Sequence, residues 1–146
     1  MDFKLKDKVV VLTGAGGGIG SEVALGFARH GCKVALIDLD EAKTAQLREK
    51  ILKEGGISAY YKTDVSNRSR VQEMLNEVER MWGVPDILVN AAGIIGRKHC
   101  LDEIEEDWDR IMSINLKGTW TCSQLAAKSM INEKKKGAIV NFGSVT

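Results

Sequence analysis

The sequence predicts an α/β fold, in which parallel strands are covered by helices on both faces. Three observations carry this prediction. Five short apolar runs alternate with segments of helical period along the 146 residues. The runs are apolar along most of their length, as strands buried on both faces are, and parallel neighbours are then joined by right-handed crossovers. The first run, Val9-Val10-Val11-Leu12, enters a turn with five glycines between Gly14 and Gly20, and a helix follows.

Each element has its own local signal. In the first helix Ile19, Val23 and Phe27 recur at a spacing of four, and Gly31 is placed as its C-terminal cap. Lys33 to Asp38 is a short buried strand ending in an acid. Asp40 caps a second helix running to about Lys53, with Ala42, Ala45, Leu47 and Ile51 as its apolar stripe, and Gly55-Gly56 stops it. Ile57 to Thr63 is a third strand. Ser66 or Asn67 caps a third helix whose Val71, Met74, Leu75, Val78 and Trp82 keep a helical period, and Gly83 and Pro85 end it. Asp86 to Asn90 is a fourth strand, followed by a loop from Ile94 to about Cys100. Glu105 to Met130 reads as a long helix with Trp108, Ile111, Met112, Leu116 and Trp120 facing inward and a slight break near Asn115 and Gly118. Lys134-Lys135-Lys136 sits where the dipole of that helix favours cations, and Ala138 to Phe142 is a fifth strand. No linker or low-complexity segment divides the chain, so residues 1–146 read as one domain.

Composition narrows the function classes. Lys+Arg of 21 against Asp+Glu of 20 leaves a formal charge of +1, which argues for neither nucleic acid nor an acidic membrane as partner. No apolar run approaches the ~20 residues that span a bilayer. The start, Met1 to Lys8, alternates charged and apolar residues, unlike a signal-peptide core. Cys32, Cys100 and Cys122 are odd in number and form no metal spacing, and His30 and His99 sit in no metal motif. They read as buried free thiols of a cytoplasmic protein. Asn67-Arg68-Ser69 matches a glycosylation sequon, which without a secretion signal is a chance match.

The glycine turn carries the chemistry. Strand, glycine turn and helix aim backbone N–H groups at a phosphate, and glycine permits close approach and positive φ. The segment fails G-x-G-x-x-G, since Ile19 and Ser21 stand where the last glycine is needed after Gly14 or Gly16. It fits Thr-Gly-x-x-x-Gly-x-Gly through Thr13, Gly14, Gly18 and Gly20. Asp38 ends the second strand 20 residues after Gly18, where an acid can bond ribose hydroxyls. A carboxylate there repels a 2′-phosphate, and no Arg or Lys stands at Gly17 or Leu39 to accept one, so the residues favour NAD over NADP. Asp38 could also serve only to end its strand or begin the next helix.

Six motifs now stand in order: Thr13-Gly14-x-x-x-Gly18-Ile19-Gly20, Asp38, Asp64-Val65, Asn90-Ala91-Ala92-Gly93, Asn115, and Ile139-Val140-Asn141-Phe142-Gly143-Ser144. Through them the whole chain resembles the short-chain dehydrogenase/reductase family. The resemblance implies a three-layer, Rossmann-type, doubly wound parallel sheet in the order 3-2-1-4-5, without the family's last helices and strands. It implies that Gly14, Gly16, Gly18, Ile19 and Gly20 surround a pyrophosphate, with Thr13 in the same turn. Asp38 would hold the adenosine ribose, Asp64 and Val65 would flank adenine, and Asn90, Ala91, Ala92 and Gly93 would line the cleft and steady the central strands. Asn115 resembles the catalytic asparagine whose backbone holds a relay water, and Ser144 the serine that orients the substrate carbonyl. Taken singly, Asn90 could satisfy groups where strands diverge, Asn115 mark a helix irregularity, and Ser144 be a loop hydroxyl.

The family's general acid is a tyrosine in a Tyr-x-x-x-Lys pair. Here Tyr60 is followed four residues on by Asp64 and Tyr61 by Val65, so neither forms the pair. The expected function is therefore NAD-dependent interconversion of an alcohol and a ketone by a longer parent protein, with the 146 residues alone inactive. The alternative is a nucleotide-binding module or subunit without catalysis. A methyltransferase would share the glycine turn and the acid but would not explain Asn90 to Gly93, Asn115 and Ser144. An uncovered fifth strand and the family's use of the long helix at subunit interfaces imply a homo-oligomer.

Overall fold

The computed structural model describes residues 3–96 and 98–144. Its elements are β1 (Val9–Thr13), α1 (Gly18–Arg29), β2 (Lys33–Asp38), α2 (Glu41–Lys53), β3 (Ile57–Lys62), α3 (Arg68–Trp82), β4 (Ile87–Asn90), α4 (Glu105–Met112), a π turn (Ser113–Gly118), α5 (Thr119–Asn132) and β5 (Ala138–Asn141). The strands form one parallel sheet in the order β3-β2-β1-β4-β5. This is the Rossmann-type topology the sequence predicts.

Apolar strands make two cores, one on each face. Val10, Leu12, Val34 and Leu36 pack against Ala24, Leu25 and Ala28 of α1 and Leu47 and Ile51 of α2. Val9, Val11, Ala35 and Ile37 point the other way, onto Val71, Leu75 and Val78 of α3 and Leu125, Ala126 and Met130 of α5. Alternate residues of one strand thus serve opposite layers, which is why the runs are continuously apolar.

The helix boundaries follow their caps. Asp40 accepts from the Lys43 amide at the start of α2, and Asn67 from the Arg70 amide at the start of α3. Asn67, the residue of the sequon, is thus a helix cap. Gly31 and Gly83 have φ of +79° and +91° directly after α1 and α3, so each reverses the chain in a conformation that side chains resist.

The helix faces differ from expectation in three places. Ile19 is 65% exposed, and α1 is buried through Gly20, Ala24, Leu25 and Ala28, with Val23 and Phe27 only flanking. Ala42 is exposed while Thr44 is buried, its hydroxyl donating to the carbonyls of Asp40 and Glu41. Of the five residues expected to face inward, Trp108, Leu116 and Trp120 are 57%, 62% and 53% exposed and face out, while Ile111 and Met112 are half-buried. Two causes combine. A spacing of four drifts around a helix of 3.6 residues per turn, and the π turn rotates α5 relative to α4. Thr121, Cys122, Leu125, Ala126 and Met130 form the buried face of α5 instead. Cys100 is exposed, whereas Cys32 and Cys122 are buried.

At the N-terminal edge of the sheet, the buried Asp86 binds three segments together. Its carboxylate accepts from the Val9 amide at 2.9 Å and pairs with Lys8 at 3.0 Å and Lys135 at 3.1 Å. Lys135 also donates to the Val84 carbonyl, so one member of the lysine triplet fixes the turn that leads into β5. All of β5 is exposed, including Ile139 and Val140; Phe142, expected as its last residue, lies just beyond it and is exposed too. Among the described residues no helix is long and apolar enough to cross a membrane, and no group of three or more His, Cys, Asp or Glu side chains could hold a metal ion.

Candidate active site

Parallel strands deliver their C-terminal ends to one edge, and ligands of open α/β sheets bind there. Register sets the neighbours: Thr13 stands opposite Ile37 on one side and Asn90 on the other, and Asn90 opposite Asn141.

The glycines of the turn after β1 have separate tasks. Gly14 has φ of +70°, and a Cβ on it would lie 2.5 Å from the Ala91 carbonyl oxygen. A Cβ on Gly20 would run into the Gly14 carbonyl, so the first turn of α1 lies directly on the loop. Around Gly18 there is open space. No side chain caps α1 and no acid stands in its first turn, so the helix presents its N-terminal N–H groups and positive dipole end uncontested. Ile19, next in the chain, is exposed. Thr13 is buried, and its hydroxyl oxygen accepts from the Ala91 and Ala92 amides, each at 3.2 Å. It ties β1 to the segment leaving β4.

Asp38 is held at both oxygens, accepting from the Gly16 amide at 2.9 Å and the Asp40 amide at 3.0 Å. Asp64 accepts from the Ser66 amide and hydroxyl, at 2.9 and 2.7 Å, which fixes its turn. A recess of about 170 Å³ lies between these acids. Asp38, Leu39, Asp64, Val65, Ala92 and Ile114 are among its walls, as are Gly14, Ala91 and Gly93. The structure thus brings together the glycine turn, Asp38, Asp64, Val65 and Ala91 to Gly93. Ile37, Thr63 and Ile114 also line the recess and were not singled out from the sequence. Ile114 had a signal, since it directly precedes Asn115.

Asn90 stands behind the recess, not in its wall. It is 3% exposed, and its amide donates to Ser123 at 2.9 Å and Asn141 at 2.8 Å, joining β4, β5 and α5. Asn115 lies in the π turn, where its side chain accepts from the Ile94 amide at 2.9 Å and donates to the Ile94 carbonyl at 2.8 Å. Its own carbonyl accepts from Thr119. Ser144 is exposed, in the loop after β5 at the same sheet edge. Arg97, in the loop expected at the substrate mouth, lies outside the described residues; in that loop Lys98 pairs with Asp107 at 2.6 Å.

A parallel sheet in this order, with a glycine turn after β1 and acids ending β2 and following β3, is the scaffold of a Rossmann-type nucleotide-binding fold. The chain belongs to the short chain dehydrogenase family, whose profile matches residues 8–146. It is 36% identical over 141 residues to an uncharacterized oxidoreductase of Thermotoga maritima, covering 96% of this chain and 54% of that protein. It is 38% identical over 145 residues to 2-(S)-hydroxypropyl-CoM dehydrogenase 3 of Xanthobacter autotrophicus, covering 99% and 56%. To the (3R)-3-hydroxyacyl-CoA dehydrogenase of dog it is 32% identical over 152 residues, covering 98% and 58%. A crystal structure of a short-chain type dehydrogenase/reductase from Mycobacterium marinum superposes with a TM-score of 0.93 at 31% identity, covering 96% of this chain and 57% of that one. The chain spans little more than half the length of these relatives.

Proposed function

We propose that the chain is the coenzyme-binding part of an NAD-dependent oxidoreductase that interconverts an alcohol and a ketone. The observation that carries this is Asp38, fixed by two backbone amides at the mouth of the recess beside the glycine turn. A preorganised carboxylate there can accept from ribose hydroxyls and repels a 2′-phosphate, which favours NAD over NADP. The recess is smaller than the ~300 Å³ at which ligand pockets ordinarily begin. It suits one end of a dinucleotide, adenine between Leu39, Val65 and Ile114, with Asp64 at its rim. The pyrophosphate then lies over Gly18, Ile19 and Gly20, where a side chain at Gly18 would occupy the open space. Gly16 holds Asp38, while Thr13, Asn90, Ala91, Ala92 and Gly93 keep the strand ends at fixed distance.

The bound coenzyme supplies a hydride acceptor or donor, and this chain's own residues bind and orient it. Ser144 is the hydroxyl that orients the substrate oxygen, and Asn115 shapes the wall opposite the glycine turn through Ile94. Tyr60 and Tyr61, near the end of β3, are not among the lining residues of the recess, and neither is followed four residues on by a lysine, so neither is the family's proton donor and these 146 residues alone bind nucleotide without turnover. The relatives' names speak of hydroxypropyl-CoM and hydroxyacyl-CoA, which supports a hydroxyl-bearing substrate. Three free cysteines fit a reducing, cytoplasmic setting. The exposed Trp108, Leu116 and Trp120, with the open edge of β5, support a homo-oligomer; sedimentation of a clean monomer at high concentration would refute it.

The direct test is Asp38→Ala. NADH and NADPH are titrated by fluorescence against both proteins. Preference for NADH in the original chain and its relaxation toward NADPH in the variant are expected. An unchanged ratio sinks the assignment.

A further inference from the structure

Asp38 has a neighbour whose charge is committed elsewhere. A Cβ built on Gly16 would lie 3.1 Å from the Asp38 Oδ2 atom and 3.3 Å from Cβ of Lys43, so the lysine stem and the carboxylate flank the same point. Lys43 stands in the first turn of α2, yet its ammonium is turned onto the Asp40 carboxylate at 3.1 Å. Asp40 is tied in twice more. It accepts from the Lys43 amide at 3.1 Å, and its own amide donates to Asp38. Asp38, Asp40 and Lys43 therefore form one short network around the backbone of Gly16.

We propose that Asp40 is a second determinant of coenzyme choice: it holds the Lys43 ammonium that would otherwise receive a 2′-phosphate beside Asp38. The inference rests on Asp38 facing the adenosine ribose. A lysine is a point charge on a flexible four-carbon stem, so Lys43 does not need a fixed geometry to reach a phosphate placed at Asp38. Its present pair is weakly held, since both side chains are substantially exposed, at 64% and 42%, and exposed pairs of this kind contribute little. Selectivity is thus built from one repulsive group, Asp38, and one attractive group withheld, Lys43. The Lys43 amide, and then its ammonium, hold the Asp40 carboxyl below its ordinary range, so the acid keeps its charge at neutral pH.

The test separates charge from folding. Asp40→Asn keeps a side-chain oxygen for the helix cap and removes only the charge that detains Lys43. NADH and NADPH are titrated by fluorescence against Asp38→Asn, against Asp38→Asn with Asp40→Asn, and against that pair with Lys43→Gln added. The second variant is expected to bind NADPH about two- to fivefold more tightly than the first, the reach of an exposed pair, with NADH affinity within about twofold. Lys43→Gln is expected to cancel the gain, and raised salt to shrink it. Glu41→Gln in place of Asp40→Asn removes the same charge from the same helical turn, and is expected to leave the ratio where Asp38→Asn set it. Equal ratios in the first two variants, or a gain that survives Lys43→Gln or is matched by Glu41→Gln, would overturn the proposal. Failure of the unaltered chain to bind NADH would instead bring down the nucleotide reading, and this inference with it.

Discussion

Removing the carboxylate of Asp86 tests how the far edge of the sheet supports the site. Asp86→Ala leaves the Val9 amide without its acceptor, and an orphaned buried donor costs about 1–3 kcal/mol. The two lysine pairs add less. Lys8 and Lys135 are 46% and 31% exposed, so solvent screens both, and Lys135 retains the Val84 carbonyl. A total of about 2–4 kcal/mol is expected, with Asp86→Asn losing roughly half because it still offers an oxygen to Val9. Urea unfolding at pH 7 reads both values from the midpoints. Acidification supplies the check on mechanism. Burial raises the Asp86 carboxyl, but the Val9 amide, Lys8 and Lys135 outweigh it and hold it below its ordinary 3.8. A carboxyl lowered in the folded state stabilises fully above its unfolded value and loses that contribution as pH falls through the folded one. The gap between the original chain and Asp86→Asn is therefore expected to stay constant from pH 7 to 5 and to close below about pH 3.8. A gap that persists on acidification, or no gap at pH 7, would refute this account of the clasp.

Two glycines of the turn are expected to respond oppositely to alanine. Gly18→Ala meets only open space, so stability holds or rises by up to ~1 kcal/mol while NADH affinity falls. Gly20→Ala forces α1 off the loop and lowers stability itself, by about 1–3 kcal/mol; melting curves and NADH titration of both variants separate the two roles. Thiol labelling of the native chain at pH 8 is expected to modify Cys100 alone. Burial pushes the Cys122 thiol up to about 12, and burial with the Asp86 charge pushes Cys32 to about 11, so mass spectrometry finding either one labelled at the Cys100 rate would contradict the packing.

The sheet was legible in the sequence because strands buried on two faces leave an unambiguous apolar signature, and because glycine, proline and capping residues mark where each element ends. The site was legible for the same reason: Thr13, Asp38, Asp64 and Asn90 all fall at or just beyond strand ends, and parallel topology brings those ends together. The helix faces were less so. Helix α3, buried through Val71, Met74, Leu75 and Val78, lies as expected. Large side chains such as Ile19, Trp108 and Trp120 weigh heavily in a hydrophobic count and set the expected faces of α1, α4 and α5, yet α1 and α5 bury Gly20, Ala24, Ala28, Cys122 and Ala126 beside Leu25, Leu125 and Met130. Close approach selects small residues, whose period is faint. The role of Lys43 was hidden for another reason. It follows Asp38 by five residues, and only the folding of the Gly16 backbone over Asp38 puts its stem at the site.

The π turn makes the helical arm between α4 and α5 a device with two phases. Within it, Asn115 must meet the Ile94 backbone; beyond it, Cys122, Leu125 and Ala126 must meet the sheet. A single α-helix could satisfy one of these phases, since each residue added or removed turns the remainder of the helix by about 100°. Deleting one residue between Ser113 and Gly118 would restore an ordinary helix and force a choice between them. The chain would keep its core and swing Asn115 off Ile94, because several buried side chains outweigh two exposed hydrogen bonds. One residue of apparent surplus is what lets the same helix serve both the core and the cleft.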